Sequence, residues 1–278
     1  MSERPTITSS FPESDIALFT LDMPEKGANV LSRAVLEELD ARLSELKTRD
    51  ELAGLIIASG KVGQFIAGAD LREFVESIDM SDEEVTKMCL AGQTLFRQLT
   101  ALPFVSVAAI DGICVGGGAE LAAWCDRRVM SDNPKTQFGF PEVKLGLFPG
   151  WGGTARAPRI VGLSNAVEMI TGGESIDGKE AYKMGWASDV VPADQLLEAA
   201  IRVVRSEQQT QGFRATRKLW SGPIDISAGE LGFLGAAASG YINQHTKGQY
   251  PAPIAALETM LGAAGMDVEA ACQLEAQG

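Results

Sequence analysis

Val115-Gly116-Gly117-Gly118-Ala119-Glu120-Leu121 closes a segment that opens with the apolar run Phe104–Ile110 and turns at Asp111-Gly112. A strand, a glycine turn and a helix start in that order leave backbone N–H groups without partners at the positive end of a helix dipole. Such amides suit an anion, or an oxygen that becomes negative during a reaction, and one well-aimed donor accounts for about 3 kcal/mol of a barrier. Glu120 falls in the first turn of that helix, where the dipole favours its ionised form. The spacing also admits a plainer reading. Three glycines let a helix pack closely on a sheet, and a first-turn glutamate need carry no chemistry.

Two further glycine-rich runs flank this one, Ile66-Ala67-Gly68-Ala69-Asp70 upstream and Phe138-Gly139-Phe140-Pro141-Glu142-Val143 downstream. Glu142 lies among Phe138, Phe140, Leu145 and Phe148, and an apolar setting raises a carboxyl pKa and makes the group a proton donor. Glu120 and Glu142 in different surroundings are what a paired acid and base require. If the three runs converge, they surround one reacting atom with amide donors and two carboxylates.

The remainder of the chain bounds what that site does. At 278 residues, 45% hydrophobic and 22% charged, the chain is long enough for one large core or a core plus a small lobe. A net charge of −13 argues against a nucleic-acid partner, which needs a basic surface. It leaves room for a phosphate-bearing small ligand on a local basic patch. Met1–Ser14 lacks the layout of a signal peptide, and no apolar stretch approaches ~20 residues, so no membrane span is expected. Cys89, Cys114, Cys125 and Cys272 form no CxxC pair, which favours reduced thiols and a cytoplasmic setting. His245 is the single histidine, so zinc sites and His-dependent triads lack material and no metal is expected.

Strand-length apolar runs occur at Ile16–Leu21, Leu52–Ala58, Phe104–Ile110 and about Arg128–Met130, with helical spacing over Ser32–Arg49 and Ser81–Leu102 between them. Val35, Leu36, Leu39, Leu43 and Leu46 form one stripe behind a Ser32 N-cap. Alternating strands and helices predict an α/β protein with parallel or mixed sheets. After about Gly152 only Asp189–Val191 reads as extended. The pattern predicts helices over Ala166–Thr171, Gly178–Met184, Gln195–Ser206 and Gly212–Trp220, and a last one at Ile254–Leu261 beyond Pro251 and Pro253. The expected organisation is a core over 1–192 and a helical region over 193–278. Gly150-Trp151-Gly152-Gly153-Thr154-Ala155 mimics a dinucleotide fingerprint, but Phe148-Pro149 interrupts the strand it would need. Gly173–Lys179 mimics a phosphate loop, but Glu180 stands where a Ser or Thr is required. No GxSxG elbow occurs.

Taken together, Phe65–Leu71, Ile110–Leu121 and Phe138–Thr154 resemble the crotonase (enoyl-CoA hydratase/isomerase) superfamily, with the likeness running from about Ile16 to about Val191. The resemblance implies a crotonase-like (ClpP/crotonase) spiral of ββα units with a helical C-terminal region. It implies an acyl-CoA substrate, with coenzyme A part of that substrate and no separate cofactor. By motif position the oxyanion hole falls on the amides of Ala69 and Gly117, and Gly150 matches the backbone position that helps hold a water. Ala67 matches a backbone contact to the adenine of CoA. Lys61 and, more weakly, Lys26 are candidate phosphate contacts. Relatives that hydrate keep both glutamates, while many isomerases keep only the second. The implied reaction is syn hydration of a 2-enoyl-CoA in β-oxidation, with a Δ3,Δ2-enoyl-CoA isomerase or a non-catalytic binding homologue as alternatives.

More narrowly, Pro141–Gly146, Pro158-Arg159 and Tyr250-Pro251-Ala252-Pro253 resemble the hydratase domain at the N-terminus of multifunctional fatty-acid oxidation enzymes. That implies a 3-hydroxyacyl-CoA dehydrogenase as a partner or downstream domain. Single-domain relatives imply a homo-trimer or hexamer.

Overall fold

The computed structural model describes residues 5–24, 26–76 and 80–278, so the first four residues of the Met1–Ser14 reading lie outside it. Its strands are β1 (Ile7–Glu13), β2 (Ile16–Leu21), β3 (Gly54–Ser59), β4 (Gln64–Ile66) and β5 (Val105–Ile110). They continue as β6 (Ile113–Val115), β7 (Arg127–Ser131), β8 (Gln137–Gly139), β9 (Ser175–Ile176) and β10 (Asp189–Val191). The first six helices are α1 (Arg33–Leu46), α2 (Leu71–Glu76), α3 (Asp82–Ala101), α4 (Gly117–Trp124), α5 (Gly153–Val161) and α6 (Leu163–Gly172). The rest are α7 (Gly178–Lys183), α8 (Leu196–Thr210), α9 (Gly212–Ser221), α10 (Ala228–Thr246), α11 (Ala252–Ala263) and α12 (Val268–Gln277).

A large sheet has the order β1-β2-β3-β5-β7-β10 and a small one β4-β6-β8-β9. β1 and β2 pair antiparallel, as do β8 and β9, and every other pair is parallel. The three central strand pairs share one rule. β3, β5 and β7 lie in the large sheet, while their followers β4, β6 and β8 step into the small one. Each repeat thus climbs one strand in both sheets at once, which is the expected spiral of ββα units.

Both faces of the large sheet are covered along β2, β3, β5 and β7, so these strands read as largely apolar runs; β5 is buried along its whole length. One face meets Ala199, Ala200 and Val204 of α8. The other joins the main core, where Val35, Leu39, Leu43 and Leu46 deliver the α1 stripe. Ser32 caps α1 by accepting from the Val35 amide at 3.4 Å, as its position predicted. Gly118 explains how tightly α4 seats on the small sheet: a Cβ there would lie 2.4 Å from the Ile66 carbonyl oxygen. The plainer reading of the triplet is therefore correct for its third glycine. No described helix is long and apolar enough to cross a membrane.

Several elements depart from the sequence reading, among them α10, a 19-residue helix where no element was predicted. β1 adds an edge strand before Ile16, and β9 is an extended pair beyond Gly152. α5 is a helix for which no element was predicted, and it runs through Pro158 despite the missing N–H. Most consequential, Ile254–Leu261 is not the last helix. α12 follows it and packs against α3 and α5, carrying Glu275 into the interior.

Candidate active site

The three glycine runs meet at Gly116. Its φ of 56° lies in the left-handed region, which the turn from β6 into α4 requires and glycine alone adopts without cost. A Cβ at Gly116 would lie 3.5 Å from the Gly68 Cα and 3.4 Å from Glu142 Oε1. Its amide donates to the Gly139 carbonyl at 3.1 Å, which ties it to the third run. The Ala69 and Gly117 amides therefore sit on adjoining turns. Gly117 is the first residue of α4, where no intrahelical acceptor exists. Among the described residues, neither amide donates to a protein acceptor. Leu31 and Asp70 fix the Ala69 turn, since Leu31 N–H donates to the Gly68 carbonyl at 2.9 Å and Asp70 N–H to the Leu31 carbonyl at 3.2 Å.

Glu120 does not draw on the donors of its own helix. Its Oε1 accepts from the Trp151 amide at 2.6 Å and the Gly153 amide at 2.9 Å, across the turn that opens α5. Its other oxygen takes no protein donor among the described residues. The dipole argument for an ionised Glu120 is thus corrected: burial, then the charges of Glu142 and Glu275, raise its pKa well above the ordinary range, and the two amides only oppose that rise. Glu142 has both carboxyl oxygens buried with no partner, and burial pushes it up to about 7. Two like charges in one dry site cannot both persist cheaply, so the pair retains a proton near neutral pH.

A groove of about 1010 Å³ leads to this point, lined by Leu31, Leu36, Met88, Leu95, Ala69 and Trp151 among others. Trp151 forms its inner wall, edge-on to Phe96 with ring centroids 5.7 Å apart. One residue therefore lines the groove with its ring and orients Glu120 with its amide. Gly150 sits at the head of the same turn, its carbonyl accepting from Gln93 Nε2 at 3.1 Å.

None of the candidates Ala67, Lys26 and Lys61 lines this groove, although Lys26 pairs with Asp70, which does. The Ala67 amide donates to the Asn29 carbonyl at 2.9 Å. Lys26 is paired with Asp70 at 2.5 Å, and Lys61 with Asp22 at 3.1 Å while also donating to the Met23 carbonyl at 2.7 Å. Both lysines thus have acidic partners that the sequence did not indicate. Sequence reasoning also missed Gln93 and Glu275. Glu275 accepts from Thr154, from which 121 residues separate it, so no local motif could have announced it.

The fold agrees with what similarity shows: the family model for enoyl-CoA hydratase/isomerase matches residues 12–218. The chain belongs to that family. It is 38% identical over 262 residues to the fatty acid oxidation complex subunit alpha of Vibrio campbellii, covering 94% of this chain and 36% of that protein. The chain thus spans little more than a third of that relative's length. Among solved structures, an enoyl-CoA hydratase from Bacillus anthracis superposes with a TM-score of 0.68 at 29% identity, covering 95% of this chain and 99% of that one. A monofunctional enoyl-CoA isomerase from M. smegmatis superposes with a TM-score of 0.62 at 26% identity, covering 78% and 92%. As a member of this family the chain is a crotonase-superfamily enzyme, and both hydratases and isomerases are among its structural neighbours.

Proposed function

We propose that this protein is an enoyl-CoA hydratase that adds water syn across the 2,3 double bond of a 2-enoyl-CoA, within fatty-acid β-oxidation. The observation that carries the reading is the differently supported pair: Glu120 anchored by two amides with one oxygen left over, and Glu142 bare and buried beside Gly116, where the helix of Glu120 begins. The thioester oxygen accepts from the Ala69 and Gly117 amides, which draws electron density from C3. Glu120, in the form of the site where it is the ionised member of the pair, takes a proton from water as the water oxygen bonds to C3, its two N–H donors partly offsetting the burial that raises its pKa. Glu142, which burial pushes up to about 7, carries the proton of the pair in that form and delivers it to C2. The charge that gathers on the thioester oxygen is what the two amides stabilise, more strongly in the transition state than in the ground state. The proton on Glu120 then returns to Glu142 through the next water.

The fatty acid oxidation relatives support a β-oxidation setting and a 3-hydroxyacyl-CoA dehydrogenase as the consumer of the product. The test supplies crotonyl-CoA and a 3-enoyl-CoA in parallel, following loss of enoyl-thioester absorbance and identifying products by NMR. Formation of 3-hydroxybutyryl-CoA supports the reading. Conversion of the 3-enoyl substrate to its 2-enoyl isomer without hydration would replace it with the isomerase, for which Glu142 alone suffices.

A further inference from the structure

The turn from Gly150 to Ala155 divides its amides between two carboxylates. Trp151 and Gly153 donate to Glu120, whereas Gly152, Thr154 and Ala155 donate to Glu275 at 2.6, 2.8 and 3.3 Å. Glu275 also accepts from the Thr154 hydroxyl at 2.6 Å and from Gln93 Nε2 at 2.9 Å, and it is only 2% exposed. Both of its oxygens are thereby occupied, and every contact is a donor. Gln93 completes the link: the same Nε2 lies 3.1 Å from the Gly150 carbonyl oxygen and 2.9 Å from that of Cys272. α3, the turn and α12 are joined at one point.

We propose that Glu275 is a positioning residue for the reaction: from the last helix it holds the Gly150–Ala155 turn in the arrangement that aims the Trp151 and Gly153 amides at Glu120. This rests on the hydratase reading for its catalytic consequence, though not for its structural content. Gly152 turns with a φ of 111° into α5, and the amides of this helix start alternate in partner along the chain, so holding Gly152 and Thr154 on Glu275 constrains Trp151 and Gly153, their neighbours in sequence. Without the carboxylate, three buried amides and a hydroxyl would lack an acceptor and would rearrange to find one, while Gln93 would keep only its two carbonyl acceptors. The turn would carry Glu120 with it. Glu275 does not reach the reacting atoms, because the turn itself lies between it and Glu120. It follows that α12 is part of the active-site scaffold.

The test compares wild type, Glu275→Gln and Thr154→Val by amide hydrogen exchange read by mass spectrometry and by steady-state hydration of crotonyl-CoA. Glu275→Gln turns an N–H group against donors. Exchange over 150–155 is expected to rise while the rest of the chain keeps its protection. kcat is expected to fall about 10- to 100-fold with KM nearly unchanged, as a small misplacement of a catalytic group does. Thr154→Val removes one donor and should act in the same sense, more weakly. Wild-type exchange and kcat in a folded Glu275→Gln enzyme would overturn the proposal. So would a loss of protection spread over the whole chain, which assigns Glu275 to general stability. If Glu275→Gln does not fold, Thr154→Val decides: a local rise in exchange with reduced kcat supports the role, and wild-type behaviour overturns it. A wild-type enzyme that hydrates no 2-enoyl-CoA refutes the functional reading alone, and the exchange data still decide the positioning role.

Discussion

Gly117→Ala is the smallest change that tests the oxyanion hole. The new Cβ would lie 2.7 and 2.9 Å from two ring carbons of Trp151 and 3.4 Å from Leu31 Cδ1. Comfortable carbon contacts are ~3.5–4.0 Å, so roughly 1 Å must be recovered by movement. The indole is poorly placed to move. The Trp151 backbone carbonyl accepts from Trp124 Nε1 at 2.8 Å, Phe96 meets the indole edge-on, and at Gly92 a Cβ would already lie 2.4 Å from the ring. The displacement therefore falls largely on the start of α4, which bears the Gly117 amide. Losing one oxyanion donor costs about 3 kcal/mol of transition-state stabilisation, or ~10²-fold in kcat. Overpacking should cost about 1–3 kcal/mol of stability, so melting temperature is recorded alongside. The assay is steady-state hydration of crotonyl-CoA. Removing the obstacle in Gly117→Ala/Trp151→Ala, which keeps the amide at position 151, should restore at least about tenfold. A folded Gly117→Ala enzyme within about threefold of wild type would refute the oxyanion assignment. Failure of the double variant to recover would show that steric displacement is not the cause.

The remaining predictions follow from the same geometry. Glu120→Gln and Glu142→Gln should each lower kcat for hydration by ~10²-fold or more with a smaller change in KM, and near-normal turnover in either would remove that residue's role. The raised Glu142 also sets a stability trend. Below 4.5, its ordinary value, both folded and unfolded states are protonated; between there and about 7 only the unfolded chain releases the proton, so stability falls as pH rises and levels off above. The loss is on the order of 3 kcal/mol, so Glu142→Gln should melt higher than wild type near pH 8 and match it near pH 4 in calorimetry. Binding of CoA esters should weaken with added salt and in Lys61→Ala, by calorimetric titration, although Lys61 must exchange its Asp22 partner to reach a phosphate. Unchanged affinity would exclude Lys61 from the nucleotide site.

Much of this protein is local in the sense that sequence can express. A glycine is needed where Gly116 turns with positive φ and where Gly118 touches β4, and those demands leave a motif. The α1 stripe and the fully buried β5 leave a periodicity and an apolar run, because each element meets the core along its whole length. Those signals suffice for the α/β class and mark the two glutamates as candidates, while the spiral was expected only from the family resemblance. The small sheet was less legible: β4, β6 and β8 have three residues each, too few to display a period of two. α12 and its glutamate carried no sign of their contact with the site.

Only the tertiary structure decided how the two carboxylates differ. The sequence placed Glu120 at a helix start and argued for its charge from the nearest dipole. Folding instead gave it the amides of Trp151 and Gly153, and burial beside Glu142 and Glu275 outweighed the dipole. Hydrogen-bond partners and desolvation depend on which surfaces meet, and here they join residues from α3, α4, the turn before α5, and α12. A residue type can be read one position at a time; its pKa and its aim belong to the assembled interior, where one carboxylate is held by the chain and the other is left bare.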